Sequence, residues 1–235
     1  MIEAKGLSKS FGRKRVLQDI DLKEGSGEFV TIFGPNGAGK STLLQILAGI
    51  MKSNSGQIWI QGIHMMKDPV AARRNLGFIS HQPLLYSELT AVENLTFFGR
   101  MFDVPNLAQR IDEIIHKVGL ELRAHDLLRT FSRGMIQRLT IARALLHAPS
   151  ILLLDEPFTG LDQQAVDMFK KILADVIGSG GAITMATHNL ERGLELCHRA
   201  LILSNGRLIF EARKQDLDRA EFETIYNQYI SGGKR

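Results

Sequence analysis

The chain of 235 residues carries a formal net charge of +4, with 44% hydrophobic and 23% charged side chains, enough apolar material for one α/β domain or a core with a subdomain, which excludes a disordered polymer. Cationic runs are limited to Arg13-Lys14-Arg15 and the terminal Lys234-Arg235, so no nucleic-acid partner is expected; Cys197 is alone, which leaves no intramolecular disulfide or multi-cysteine zinc site and fits a reducing compartment. The opening Met1-Ile2-Glu3-Ala4-Lys5 does not read as a signal peptide, and no apolar run approaches the roughly 18 to 20 residues of a membrane span, so a membrane role is expected only through a partner.

Residues from about 2 to 33 read as short strands, with alternation from Val16 to Leu22 and a turn at Gly25-Ser26-Gly27, an antiparallel entry. A helix from Ser41 to Ala48 follows, then strands at Gln57 to Ile60 and Leu76 to Ile79, each bounded by Gly, Asn or Pro. From Ala91 to about Ala148 the apolar spacing turns helical, as in Val92, Leu95, Phe98 and Ile111, Ile114, Ile115, Val118, with breaks at Pro105 and Gly119. Strand patterns return at Ile151 to Leu154, Ala182 to Ala186 and Ala200 to Ser204, separated by helices at Gln164 to Ile177 and Leu190 to Leu196. Asn205-Gly206 reads as a hairpin turn and Glu221 to Ile230 as a short helix. The expectation is one α/β domain over 1–235 with a mostly parallel sheet, an antiparallel β subdomain and a helical subdomain insertion. Residues 1–82 and 150–235 form its core and 83–149 the helical part.

Gly34-Pro35-Asn36-Gly37-Ala38-Gly39-Lys40-Ser41-Thr42, directly after the apolar run Phe29 to Phe33, has the spacing G-x-x-x-x-G-K-[ST] in a strand-to-helix setting. Glycines let the backbone wrap phosphate oxygens, amides at a helix N-terminus point partial positive charge at them, and Lys40 adds a full charge. The core is therefore expected to be a P-loop NTPase that binds a nucleoside triphosphate, with Ser41 placed to ligate Mg²⁺ and Thr42 beside it. Asp155 and Glu156 follow the apolar run Ile151 to Leu154, at the strand end where open α/β sheets bind ligands. Beside a phosphate loop, Asp155 reads as a holder of the Mg²⁺ hydration shell and Glu156 as the group that orients or deprotonates the attacking water; without the loop the pair would read as a solvated turn. His188, after Ile183 to Thr187, is placed to contact a γ-phosphate, although a lone histidine beside a helix start is usually structural. Gln82, in Ser80-His81-Gln82-Pro83, can reach Mg²⁺ or water, or be an ordinary loop glutamine. Phe131-Ser132-Arg133-Gly134-Met135 opens a helix with a capping hydroxyl and a side-chain-free amide, either a second phosphate contact or a capped helix only.

The order of these motifs resembles the nucleotide-binding subunit of ATP-binding-cassette (ABC) transporters across almost the whole chain. The resemblance implies an ATPase in which Phe11 stacks on adenine, Gly34 to Thr42 is the Walker A loop, Gln82 the Q-loop, Ile151 to Glu156 the Walker B strand and His188 the switch histidine. Leu161-Asp162 fall at the D-loop, and Ser132, Gly134 and Met135 at the signature motif, which in this family serves the ATP bound by the opposite subunit. A second nucleotide-binding subunit, most simply a homodimer, and a transmembrane permease are thereby implied as partners, with the subunit cytoplasmic and peripheral on the inner face of the cell membrane. The family's usual signature reads Leu-Ser-Gly-Gly-Gln; here Phe131, Arg133 and Met135 replace Leu, the first Gly and Gln, while Ser132 and Gly134 keep the groups suited to phosphate. Residues 81–86 and the Phe-Ser-Arg-Gly-Met segment look similar to the ATPase of haem exporters in cytochrome c maturation, and also to ATPases of multidrug, lipid or polysaccharide exporters. Leu84, Leu85 and Tyr86 either receive a permease helix or belong to the core. Two other readings remain open from the residues: a soluble ATP-dependent switch acting on nucleic acid or a protein complex, and a non-hydrolysing nucleotide-binding scaffold.

Overall fold

Ten strands and eight α-helices make up the computed structural model, which describes residues 1–80 and 82–231. His81 and the terminal Lys234-Arg235 pair lie outside the described residues. In chain order the elements are β1 (Ile2–Phe11), β2 (Lys14–Glu24), β3 (Phe29–Phe33), α1 (Lys40–Leu47), β4 (Ser55–Ile60), β5 (Ile63–His64), α2 (Pro69–Arg74) and β6 (Leu76–Ile79). Three helices follow, α3 (Ala91–Met101), α4 (Leu107–Val118) and α5 (Arg133–Leu145), and then β7 (Ile151–Asp155), α6 (Gln163–Gly178), β8 (Ala182–Thr187), α7 (Leu190–Leu196), β9 (Arg199–Ser204), β10 (Arg207–Arg213) and α8 (Arg219–Ser231). The strands form a four-stranded antiparallel sheet, ordered β2-β1-β4-β5, and a six-stranded sheet, ordered β10-β9-β3-β8-β7-β6. In the larger sheet the neighbouring pairs from β9 across to β6 are parallel, and only β10 runs antiparallel, joined to β9 by the Asn205-Gly206 turn with φ of 48° and 76°.

Every residue of β3, β6, β7 and β8 is buried, as expected for strands covered on both faces. Period-2 alternation sends their side chains into two separate hydrophobic clusters. Phe29, Phe33, Leu152, Leu154, Ile183 and Met185 face the cluster that includes Leu139 of α5, Phe169 of α6 and Phe222 of α8. Val30, Ile32, Ile151, Leu153, Ala182 and Ala186 face the other, where α1 meets Leu7, Leu17 and Ile20 of the antiparallel sheet. The phosphate-loop helix is thus held between two sheets.

The strands expected over the first 33 residues are longer than short, and their alternation is interrupted by register shifts, one of them in the middle of β2. Asp19 adopts φ 54° and the β1–β2 register slips between the pairs Leu7–Ile20 and Lys9–Leu17, so Leu17 and Ile20 are both buried although three positions apart. This is a β-bulge, which restores the apolar face that strict alternation would have lost. β5 and α2 were not expected. Two paired residues are too short to show a period, and α2 is marked only by its ends, Asp68 accepting from the Ala71 amide at 3.0 Å and Pro69 at the first helical position.

β2 ends on Glu24, which is 1% exposed. Its Oε2 accepts from the Thr184 hydroxyl at 2.6 Å, and Oε1 is buried with no hydrogen-bond partner among the described residues. Burial raises its pKa from 4.5 to about 8; the Thr184 bond opposes the rise, Glu28 adds to it and Arg199 opposes it. Because the folded pKa exceeds the unfolded one, the contribution of this group to stability is complete below the unfolded value and is lost as pH rises through the folded value. Denaturant midpoints of the wild type should therefore fall between about pH 5 and about pH 9 relative to those of Glu24→Gln, in which this group no longer titrates. Parallel pH profiles of the two proteins would rule out a neutral Glu24.

Candidate functional site

The loop from Gly34 to Gly39 leaves β3 at its C-terminal end and feeds α1. Gly34 is required by a close approach, since a Cβ there would lie 2.2 Å from the carbonyl oxygen of Leu203 on β9. Gly39 caps α1 with φ 109°, and neither a capping side chain nor an acidic residue in the first turn takes up the amides there. The helix N-terminus therefore presents unclaimed donors and its positive dipole end to a ligand. Lys40 is buried, and its ammonium donates to the carbonyls of Gly34 at 2.6 Å and Pro35 at 3.1 Å. Pro35 also accepts from the Ala38 amide, closing the loop at 3.2 Å. Burial pushes the Lys40 pKa down while the charges of Glu156 and Asp155 oppose it.

The loop forms one wall of a cleft of about 550 Å³ that also takes in Asn36, Gly37, Ser41, Thr42, Asp155, Glu156 and His188. Asp155 is buried at the end of β7, in register with Ala186 of β8. Glu156 leaves the strand with φ 49°, a left-handed conformation uncommon for a side-chain-bearing residue, while its amide still donates to Ala186 O at 3.0 Å. That turn aims its carboxylate at the end of β8. Oε1 accepts from the His188 amide at 2.9 Å and contacts His188 Nδ1 at 2.7 Å, and Oε2 accepts from the Thr187 hydroxyl at 3.0 Å.

Other residues predicted from sequence lie elsewhere. Phe11 is about half exposed, with the Lys9 ammonium 5.1 Å from its ring centre, and is paired across the β1–β2 hairpin with Lys14, which does line the cleft. Gln82 is exposed outside the cleft lining, its carbonyl accepting from the Ser80 hydroxyl. Ser132 caps α5 by accepting from the Met135 amide at 3.3 Å, and Met135 packs against the core. Gly134 sits against Gly160, whose carbonyl oxygen would lie 3.2 Å from an added Cβ. Asp162 caps α6 through the Ala165 amide at 2.7 Å and accepts from Arg138, and these contacts hold its carboxyl below the usual range. Sequence reasoning missed Lys14, Val16 and Thr159 in the lining, and Thr187. Lys14 and Val16 alternate on one face of β2, a period-2 signal that was present, whereas Thr187 is recognisable only from its contact with Glu156.

Comparison with known proteins agrees with this geometry. A family model described as ABC transporter matches residues 17–159. The chain is 38% identical over 229 residues to the uncharacterized ABC transporter ATP-binding protein YdbJ of Bacillus subtilis, covering 96% of this chain and 73% of that protein. It is 34% identical to the linearmycin resistance ATP-binding protein LnrL of the same organism, over 99% of this chain and 76% of the relative. Its identity to the Nod factor export ATP-binding protein I of Cupriavidus pinatubonensis is 34%, over 92% and 67% respectively. Among solved structures, an ATP-binding subunit of an ABC transporter superposes with a TM-score of 0.87 at 32% identity, covering 95% of this chain and 93% of that one. The ATP-binding cassette MJ0796, solved as a dimer in a post-hydrolysis state bound to ADP and Pi, superposes with a TM-score of 0.84 at 28% identity, covering 92% and 100%. This chain belongs to the ABC transporter family, as an ATP-binding subunit.

Proposed function

We propose that this subunit binds Mg·ATP, hydrolyses it as part of a dimer, and so drives export through a membrane permease. The observation that carries the reading is the convergence of Lys40, Ser41, Asp155, Glu156 and His188 on one cleft at the C-terminal ends of β3, β7 and β8. The buried Lys40 ammonium and the free amides of α1 suit a polyphosphate, with Gly34 to Thr42 wrapping it and Phe11 at the hairpin edge stacking on adenine. The Ser41 hydroxyl and the Asp155 carboxylate are hard oxygen donors in one cleft, which fits Mg²⁺, and Gln82 is the further ligand expected. When bound, Mg²⁺ supplies charge neutralisation on the β- and γ-phosphate oxygens. Glu156 orients the attacking water and takes up its proton, and His188, at the same carboxylate, turns to the γ-phosphate.

Ser132, Gly134 and Met135 lie outside the cleft lining, which favours their action on the nucleotide of a second subunit, with Asp162 at the contact between the two. ATP then stabilises a closed dimer through contacts the open one lacks, and loss of the γ-phosphate removes that bias. The dimeric MJ0796 relative supports this arrangement. None of the helices in the described residues is long and apolar enough to cross a membrane, so the permease supplies the translocation path and holds the subunit at the inner membrane face. Leu85 packs on the core whereas Leu84 and Tyr86 are exposed, and Tyr86 meets Phe97 edge-on at 5.2 Å, which fits a permease contact beside the helical part, residues 83–149. Relatives named for linearmycin resistance and Nod factor export favour an exporter. Haem export for cytochrome c maturation rests on the likeness of residues 81–86 and 131–135 alone.

Replacing Lys40 with Ala removes the one buried cation of the loop and should weaken ATP binding at least tenfold, as read by titration with a fluorescent nucleotide. In Glu156→Gln, hydrolysis should slow on the order of a hundredfold or more while ATP-dependent dimers accumulate on size exclusion; unchanged turnover would remove Glu156 from the chemistry. Affinity purification of Glu156→Gln from detergent-solubilised native membranes with Mg·ATP should recover a multi-span permease. Recovery of soluble partners alone would favour an ATP-dependent switch over a transporter.

A further inference from the structure

Thr187 ends β8 and is buried, with only 4% of its surface exposed. Its hydroxyl accepts from the Asn189 amide at 3.1 Å, which commits a lone pair and turns the hydroxyl proton toward Glu156 Oε2, 3.0 Å away. Asn189 in turn caps α7 by accepting from the Arg192 amide at 2.9 Å, so the hydroxyl is fixed by the start of a helix rather than by a mobile loop. The two oxygens of Glu156 are held differently. Oε1 is contacted by the His188 amide and by its imidazole, which sits on an exposed side chain, whereas Oε2 is bound by the hydroxyl of a buried residue whose oxygen is also tied to the Asn189 amide.

We propose that Thr187 is a positioning residue for Glu156: it anchors Oε2, so that Oε1 can exchange the His188 imidazole for the attacking water without the carboxylate rotating away. The proposal rests on the reading of Glu156 as the group that activates water. The backbone of Glu156 is tied through its amide to the Ala186 carbonyl and through its carbonyl to the Thr159 amide, but these bonds hold the main chain and leave the carboxylate free to rotate about its side-chain bonds. Once the imidazole of His188 turns to a γ-phosphate, Thr187 and the His188 amide are what remain on the carboxylate.

The test is single-turnover ATP hydrolysis with the full chain in excess, comparing wild type, Thr187→Val, Thr187→Ser and each change combined with Glu156→Gln. Valine keeps the branched shape and loses the hydroxyl; serine keeps the hydroxyl. Thr187→Val should lower the maximal rate about tenfold and leave the half-saturating ATP concentration within about twofold, with Thr187→Ser recovering most of the rate. In the Glu156→Gln background, which no longer has an ionised carboxylate to hold, Thr187→Val should add little further loss. Equal loss in both backgrounds, failure of serine to restore the rate, or an undiminished rate in Thr187→Val would each overturn the proposal. If Glu156→Gln alone hydrolyses ATP at the wild-type rate, the role of Glu156 fails first and is recognised separately. Should valine destabilise the fold, seen as a lowered melting temperature, Thr187→Ala against Thr187→Ser decides, since these two differ only by the hydroxyl: the alanine protein should lose the rate with ATP affinity kept, and equal rates would overturn the proposal.

Discussion

β3 directs alternate side chains into two hydrophobic clusters at once, and the rest of the molecule is arranged around that constraint. Phe29 and Phe33 face the helices on one side, Val30 and Ile32 face α1 and the antiparallel sheet on the other. Side chains packed on both faces cannot shift without opening a core at native density. The loop that leaves β3 therefore emerges at a fixed place, one residue after Phe33, whose ring is itself held edge-on by Phe222 at 5.2 Å. A phosphate site made chiefly of backbone amides depends on such rigidity, because its donors have no side-chain freedom with which to correct a displaced loop.

Charge is concentrated where that rigidity is greatest. Lys40 is buried with its ammonium on two carbonyls, and the burial that depresses its pKa is offset by Asp155 and Glu156 across the cleft. The same carboxylates would repel a polyphosphate, so a site of this kind needs the lysine, the helix dipole and a divalent cation together. Glu156 illustrates the arrangement in detail: its left-handed backbone and its hydrogen bonds from the end of β8 tie the strand that carries the carboxylates to the strand that carries His188.

The helix α5 is attached to this centre from behind. Gln137 donates to the carbonyl of Pro157 at 2.8 Å, one residue beyond Glu156, and Arg138 joins Asp162 to the carbonyl of Val118 at the end of α4. At its other end Arg143 donates to the Phe78 carbonyl on β6 and lies over the ring of Phe98; it is partly buried, and the loss of solvent lowers its pKa to about 10. One rigid helix thus runs from Ser132, outside the cleft, past the carboxylate loop to the edge of the sheet. The exposed Tyr86 and Phe97 pack beside Phe98 at that far end.

Much of this was legible in the chain. Fully apolar runs such as Ile151 to Leu154 announce a strand buried on both faces, the Gly34 to Thr42 spacing announces a phosphate loop, and Asn205-Gly206 announces a hairpin, because each depends on local backbone or side-chain chemistry. The β5 strand, the bulge at Asp19 and the buried Glu24 left no such mark, since a two-residue pairing, a register slip and the burial of an acid are set by neighbours distant in sequence. The same division runs through the site. The sequence by itself determined the phosphate-loop pattern, where strand, loop and helix are contiguous, and the two carboxylates that end an apolar strand. Only the tertiary structure decided that Thr187 and His188 share the carboxylate of Glu156, and that Lys14 joins the cleft while Ser132 and Gly134 stay outside it. Those relations depend on strand order and on the packing of one sheet over another, which bring together residues that no periodicity or spacing connects.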